Sequence, residues 1–190
     1  MPILVLGLVL FFAAHIFTML RAPRARFVGL LGEGPYKLAY SVVSALGLIL
    51  IVLGFGAYRE TGYIQVWDPP VWTRHLALLL NLPVFILLVA AYAPGFIKLR
   101  VKHPMLLAVK IWATAHLLAN GDLGSILLFS SFLAWAVSAR IAVKRRGDQG
   151  LPARPASWKA DVVAVAGGLV AYALVIGYLH PLLIGVPVLS

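Results

Sequence analysis

The chain has 190 residues, of which 62% are hydrophobic and 12% are charged, and its formal net charge at pH 7 is +10. A soluble domain is about half apolar and about a quarter charged, so this composition excludes a soluble globular protein and predicts a chain whose solvent is lipid. The absence of cysteine excludes disulfide bonds, thiolate metal ligands and cysteine nucleophiles.

Six apolar segments approach or exceed the length needed to cross a bilayer, which is about 20 residues of helix. The predicted helices cover residues 3–20, 36–57, 71–93, 104–119, 123–143 and 161–179. The first segment has neither a basic region before it nor a small-residue cleavage site, so we interpret it as a retained helix. The predicted fold class is all-α, a polytopic transmembrane bundle of about six helices forming a single integral membrane domain over residues 1–190.

Turn and capping residues set several of these boundaries. Pro104 suits the first position of the fourth helix, because its fixed φ is already helical and its missing N–H would have had no partner there. Asn120 and Gly121 tolerate a turn, and Asp122 is suited to cap the fifth helix. The sixth helix is predicted to break at Pro181.

The basic residues are distributed unequally between the two sides of the predicted bundle. Thirteen of the sixteen lie in or beside the first, third and fifth connections, namely Arg21, Arg24, Arg26, Lys37, Lys98, Arg100, Lys102, Arg140, Lys144, Arg145, Arg146, Arg154 and Lys159. Cytoplasmic connections are rich in lysine and arginine, so both termini are predicted on the periplasmic side of a bacterial inner membrane. The same distribution explains the positive charge without a nucleic-acid partner.

Ionisable residues at membrane depth are costly and are therefore candidates for function. The candidates are His15, His75, His103, Lys110, His116 and His180. For His15 the alternative is a structural histidine bonded to a neighbouring carbonyl or hydroxyl group. We favour an interfacial contact for His103 and a structural role for His180. Lys110 needs a partner such as a carboxylate, a carbonyl dipole or a propionate, and Glu33 and Asp122 are possible carboxylate partners.

Several intramembrane histidines, no cysteine and few carboxylates favour haem b over zinc as a cofactor. Zinc sites in membranes commonly add Asp, Glu or Cys ligands, whereas haem requires neutral imidazoles, an apolar slot and cations near its propionates. Helical bundles build such sites between facing helices. Spacing alone does not identify the pair of ligands, although depth along the helices places His75 nearer than His15 to the level of His116.

Two sequence elements resemble the NnrU family of membrane proteins. The first is LGEGPYK at residues 31–37 followed by YSVVS at 40–44, and the second runs from KHP at 102–104 to AHLLANGD at 115–122. His15, before a basic connection, and His75, at the start of the third helix, match as well. The resemblance covers about residues 1–145.

The resemblance implies a cofactor and a ligand pair. NnrU proteins are associated with bacteria that reduce nitrite and nitric oxide, and the family is similar to plant 15-cis-ζ-carotene isomerase, a membrane enzyme that carries haem b on histidines. Carried over to this chain, the axial ligands of the haem iron are His15 and His116, with His75 nearby as the alternative partner of His116. The isomerase has a cysteine where this chain has Ala113, so thiolate ligation does not carry over.

Three functions remain open at this point. The first is a haem-dependent cis–trans isomerase acting on a carotenoid or another lipid-soluble polyene. The second is a haem protein of denitrification that senses or handles nitric oxide or supports maturation of a nitrite or nitric oxide reductase. The third is a membrane methyltransferase, because Lys102-His103-Pro104 before an apolar helix resembles the isoprenylcysteine methyltransferases locally.

Overall fold

The computed structural model describes residues 1–62, 64–152 and 154–188, and its secondary structure there is helical apart from one isolated β-bridge. The predicted periplasmic C-terminus falls on residues 189–190, outside this range. In chain order the helices are α1 (Pro2–Met19), α2 (Arg21–Leu31), α3 (Glu33–Glu60), α4 (Val71–Ala90), α5 (Phe96–Val101), α6 (Pro104–Ala119), α7 (Leu123–Arg145), α8 (Trp158–Leu174) and, after a π-helical turn (Val175–Leu179), α9 (His180–Ile184).

Five helical segments of the described chain are long and apolar enough to span a membrane, and they are α1, α3, α4, α7 and the continuous stretch Trp158–Ile184. The sixth predicted span, α6, is apolar but has 16 residues, which is about 24 Å of helix against roughly 30 Å of hydrocarbon. The predicted all-α membrane bundle is confirmed, with one of its helices shorter than a full span.

The structure differs from the predicted elements at three places, apart from small shifts at helix ends. Residues Arg21–Leu31 and Phe96–Val101 form helices of their own, where only connections were predicted. The last span continues through Pro181 to Ile184 although proline has no N–H to donate. A π-helical turn precedes it, in which the His180 N–H donates to the carbonyl of Val175, five residues back. Gly185 then ends the helix with a positive φ of 74°.

The residues group into two compact units, and the first contains Met1–Asp68 and Asn120–Trp135. In this unit α1 and α3 pack against each other in antiparallel register through glycines. A Cβ on Gly7 would lie 2.6 Å from the backbone nitrogen of Ile51, and one on Gly47 would lie 2.7 Å from that of Phe11. A Cβ on Gly54 would overlap the backbone of Leu4. Small residues permit this approach, which supplies packing in lipid where the hydrophobic effect does not drive association.

Substituting Gly54 tests this packing. We expect Gly54→Ala to lower the free energy of unfolding by about 1–3 kcal/mol, because the added methyl group forces the two backbones apart. The matched control is Gly56→Ala on the same helix, where a Cβ would meet nothing within 4 Å. Thermal unfolding in detergent measures both, and equal effects of the two substitutions would contradict the close contact.

A short segment before α4 is tied to the start of α7 within the first unit. The backbone N–H groups of Val66 and Trp67 both donate to the carbonyl of Gly121, and that of Leu123 donates to Ile64. Asp122 Oδ1 accepts from the Ser125 N–H at 2.9 Å. The predicted capping of the fifth span by Asp122 is therefore confirmed.

The second unit contains Pro69–Ala119 and Ala136–Ser190. Helix α4 packs against both α6 and α8, and its buried Val84 and Leu87 form a core with Ala108 of α6. On the α8 side, Gly168 lies against the backbone of Ile86. Helix α6 is thereby fixed along its length against α4.

Asp161 joins two elements of the second unit. Its carboxylate accepts from the N–H groups of Phe96 and Ile97, at 2.9 and 3.0 Å, and so caps the start of α5 from α8. The Ser157 N–H donates to the carbonyl of Pro94 beside it. Any side chain at Gly95 would overlap the Asp161 carboxylate.

Removing the charge of Asp161 tests this cap. We expect Asp161→Asn to cost about 0.5–2 kcal/mol of stability, since an amide offers one acceptor oxygen to two backbone donors. Glu60→Gln, which neutralises an exposed carboxylate at the end of α3, is the control with the same change in net charge. If thermal unfolding shows the same midpoint for both variants, the cap contributes nothing to stability.

Candidate functional site

His15 lies in the fourth turn of α1, partly buried in the first unit. Its ring stacks on Phe11, with centroids 4.0 Å apart and planes at 25°, and the edge of Trp135 approaches it at 5.4 Å. Its Nδ1 atom is 2.7 Å from the carbonyl oxygen of Phe11, one turn back along the helix. Its Nε2 atom is 3.0 Å from the hydroxyl of Tyr40 on α3. The imidazole is thus held by aromatic rings on two sides and by hydrogen bonds at both nitrogens.

These contacts determine the tautomer of His15. A carbonyl oxygen can only accept, so Nδ1 carries the proton and donates to Phe11. Nε2 then presents its lone pair and accepts the hydrogen bond from the Tyr40 hydroxyl. The result is a neutral imidazole whose Nε2 lone pair faces α3, the form that can bind a metal.

Three buried polar atoms of the first unit have no hydrogen-bond partner among the described residues. Tyr36, Tyr40 and Ser44 follow one another at four-residue spacing, so they share one side of α3. Among the described residues, the hydroxyls of Tyr36 and Ser44 and the indole Nε1 of Trp135 are buried without a hydrogen-bond partner. Buried polar groups are normally satisfied, so three such atoms in one unit call for a bound molecule or water.

His116 lies in the last turn of α6, in the second unit, and is partly buried. Its Nδ1 atom is 2.9 Å from the carbonyl oxygen of Trp112, four residues back, and the two rings are 5.2 Å apart. The adjacent Ala113 and Ala115 are both 0% exposed. Because a carbonyl oxygen can only accept, Nδ1 of His116 is the donor of this bond.

His75 has a different environment. It is exposed near the start of α4, and it lies two residues from each of Thr73 and Ala77, which are buried. The helical period therefore puts it on the opposite side of α4 from the residues that form the core with α6. The structure gives His75 no enclosing contacts of the kind found at His15 and His116, and its ligand role stays a prediction.

The remaining ionisable candidates have local contacts. His103 bonds the carbonyl of Asp148 through Nε2 at 3.2 Å, within a polar connection and away from the apolar core. His180 Nδ1 bonds the carbonyl of Val186 at 2.8 Å, as expected of a structural histidine.

Lys110 is partly buried on α6, and the carboxylates considered as its partners are engaged elsewhere. Glu33 forms an ion pair with Lys37 at 2.8 Å, and Asp122 caps α7. The partner of Lys110 therefore stays a prediction.

No cluster of three His, Asp or Glu side chains that could hold a bare metal ion occurs within residues 1–62, 64–152 and 154–188. Haem differs in this respect, because its porphyrin supplies four nitrogens and the protein needs to add one or two.

The comparisons with known proteins give one result. A family model described as NnrU protein matches residues 3–188, nearly the whole chain. Neither the curated proteins nor the solved structures include a match.

Proposed function

The chain belongs to the NnrU family, and from that premise we propose that it is a multi-pass haem b protein of the bacterial inner membrane in which His116 and His15 bind haem iron. Its membrane character follows from its five long apolar spans. The haem assignment and the choice of membrane are the proposal.

One observation supports the ligand assignment. In both His15 and His116, Nδ1 donates a hydrogen bond to the backbone carbonyl four residues earlier in the helix. Metal-bound histidines commonly donate their second ring nitrogen to a carbonyl or carboxylate, which fixes the tautomer and the ring orientation. In both residues Nδ1 is therefore the hydrogen-bond donor, and Nε2 is the ring nitrogen that would bind a metal. Replacing either imidazole removes a nitrogen that is already oriented.

The surroundings of His15 fit a flat apolar group with polar edges. Phe11 and Trp135 flank its imidazole with aromatic rings. The buried hydroxyl of Ser44 and the indole Nε1 of Trp135 have no partner within the described part of the chain, and a ligand that carries carboxylates would satisfy them. Near His116, the buried Ala113 and Ala115 have small side chains, so another group can approach the surface of α6 closely.

For the activity we propose cis–trans isomerisation of a carotenoid or another lipid-soluble polyene, supported by the family's resemblance to the ζ-carotene isomerase. Bound haem would supply an iron centre that binds or exchanges an electron with a conjugated chain and lowers its barrier to rotation. The residues of the chain hold the imidazoles and keep water away from them.

A second function, handling or sensing nitric oxide, is favoured by one contact. A gas-binding haem needs an axial ligand that can leave the iron. The Tyr40 hydroxyl lies 3.0 Å from His15 Nε2. If His15 left the iron, this hydroxyl could donate a hydrogen bond to its Nε2 atom. No comparable contact supports the methyltransferase, since His103 of its motif bonds Asp148 in the polar connection.

The visible spectrum of the purified, detergent-solubilised protein tests the cofactor. We expect a Soret band and haem b in the pyridine haemochrome assay after expression with added haem precursor. A protein that folds but lacks the band would refute both haem functions.

Two measurements then separate the proposed activities. Carotenoid isomer analysis, with and without the protein, should show conversion of a cis polyene if the isomerase proposal holds. A new absorbance band on adding nitric oxide to the reduced protein, with no isomer conversion, would favour gas handling instead.

A further inference from the structure

Helix α2 is unlike its neighbours, because it is short, basic and almost entirely exposed. It joins α1 and α3 through single residues, Leu20 and Gly32, and none of its residues is buried. It contains three arginines and no acidic residue. Gly32 permits the sharp turn into α3 with a φ of 83°. A helix of this size cannot cross a membrane, and single-residue links keep it at the level where the two spans end.

Three large apolar residues of α2 lie on one side of the helix. Helical spacing puts Phe27, Leu30 and Leu31 together, with Arg24 at one border of this side and Arg26 at the other. The three apolar side chains are exposed, Leu30 to 82%. Exposed leucines bordered by arginines are typical of helices that lie in the membrane interface, where the arginines reach the headgroups.

Two contacts determine the orientation of α2 relative to α1 and α3. The ring of Phe27 meets the edge of Phe17, a residue of the α1 span, with centroids 5.2 Å apart. The Arg24 guanidinium lies 5.9 Å from the centroid of the Tyr36 ring at the start of α3. The apolar side of α2 is therefore level with the end of a membrane span, and Arg24 is held against the protein at the same level.

We propose that α2 lies in the cytoplasmic interface of the bilayer, with Phe27, Leu30 and Leu31 among the acyl chains and Arg21, Arg24 and Arg26 binding the phosphates of anionic lipids. We infer anionic lipids from the charge of the helix, because three guanidinium groups with no carboxylate in the helix attract phosphate and repel cations. This site is independent of haem and of the proposed activity.

Lipid selectivity tests the arginines. Native mass spectrometry of the full chain with equimolar phosphatidylglycerol and phosphatidylcholine should show preferential retention of phosphatidylglycerol. Each arginine near an anionic surface contributes roughly a five-fold factor, so we expect R21Q/R24Q/R26Q to lose at least about ten-fold of the preference. The control K144Q/R145Q/R146Q at the end of α7 removes the same charge, and we expect it to lose less of the preference than the α2 variant does. An unchanged preference in the α2 variant, or an equal loss in the control, would overturn the assignment.

Depth measurements test the apolar side, and the absence of cysteine makes a single label straightforward. Spin labels on Leu30→Cys and on Ala25→Cys, which lies on the opposite side of α2, are compared in bilayers by their collisions with oxygen and with a water-soluble nickel complex. We expect the Leu30 label to favour oxygen and the Ala25 label to favour nickel. Equal nickel accessibility would show that α2 lies in water, and shielding of Leu30 from both reagents would show a protein partner instead. Either result overturns the proposal.

Discussion

We expect the His116→Ala variant to lose the Soret band of the purified protein, the largest spectral change of any single substitution in this chain. Nδ1 of His116 is already bound to the carbonyl of Trp112, so Nε2 is the nitrogen that would bind the proposed haem iron, and alanine offers no replacement. Replacing a residue that only orients a metal ligand costs about 10- to 100-fold in metal affinity, and loss of the ligand itself should exceed that. Absorbance per mole of protein, with haem quantified after extraction, measures the effect.

A cavity variant separates the loss of a ligand from a failure to fold. In His116→Gly, free imidazole added to the purified protein should restore haem binding, because the small molecule can occupy the space of the missing side chain. His103→Ala is the control: it removes an imidazole bound to Asp148 in the polar connection and should leave the spectrum unchanged. A wild-type spectrum in monodisperse His116→Ala protein would refute the assignment of His116.

The fold was predictable where single residues act locally. The bounds of α6 were predicted correctly, because Pro104 begins a helix and Asn120-Gly121 ends it whatever surrounds them. Helix α2 was missed because Pro23 and the arginines suggest a loop, and its helical form depends on anchors at Phe17 and Tyr36. The passage of the last helix through Pro181 was missed because a π turn shifts the bonding pattern by one residue.

The partner of His15 could not be predicted from spacing along the chain. Tyr40 lies 25 residues away, and the meeting of the two depends on the register between α1 and α3. That register is set where Gly7 meets Ile51 and Gly47 meets Phe11. In an antiparallel pair these contacts place His15 beside the turn that carries Tyr40 and Ser44, so the glycines were the signal that could have found it.

The contact between Tyr40 and His15 predicts that substitutions of these two residues change haem affinity in opposite directions. The Tyr40 hydroxyl is hydrogen-bonded to Nε2 of His15, so this bond must break before the nitrogen can bind iron. A buried hydrogen bond contributes about 0.5–1.5 kcal/mol net. If His15 binds haem, Tyr40→Phe should therefore raise the affinity of the haem-free protein for haem about 2- to 10-fold, whereas His15→Ala should lower it steeply. Titration of the haem-free protein, followed at the Soret maximum, measures both.

The control and the double variant determine what the result means. Tyr58→Phe, on the same helix, removes a buried hydroxyl that binds the backbone of Ile64 and should leave haem affinity unchanged. In the His15→Ala/Tyr40→Phe protein the gain in haem affinity from Tyr40→Phe should vanish, because the nitrogen for which the hydroxyl competes is absent. A double-mutant cycle measures this interaction between the two residues. If haem affinity is the same in all four proteins, His15 is a structural histidine held by Phe11 and Tyr40, and the ligands lie elsewhere. If Tyr40→Phe instead weakens binding while His15→Ala abolishes it, Tyr40 acts on the haem-bound protein, and its role as a partner for released His15 is wrong.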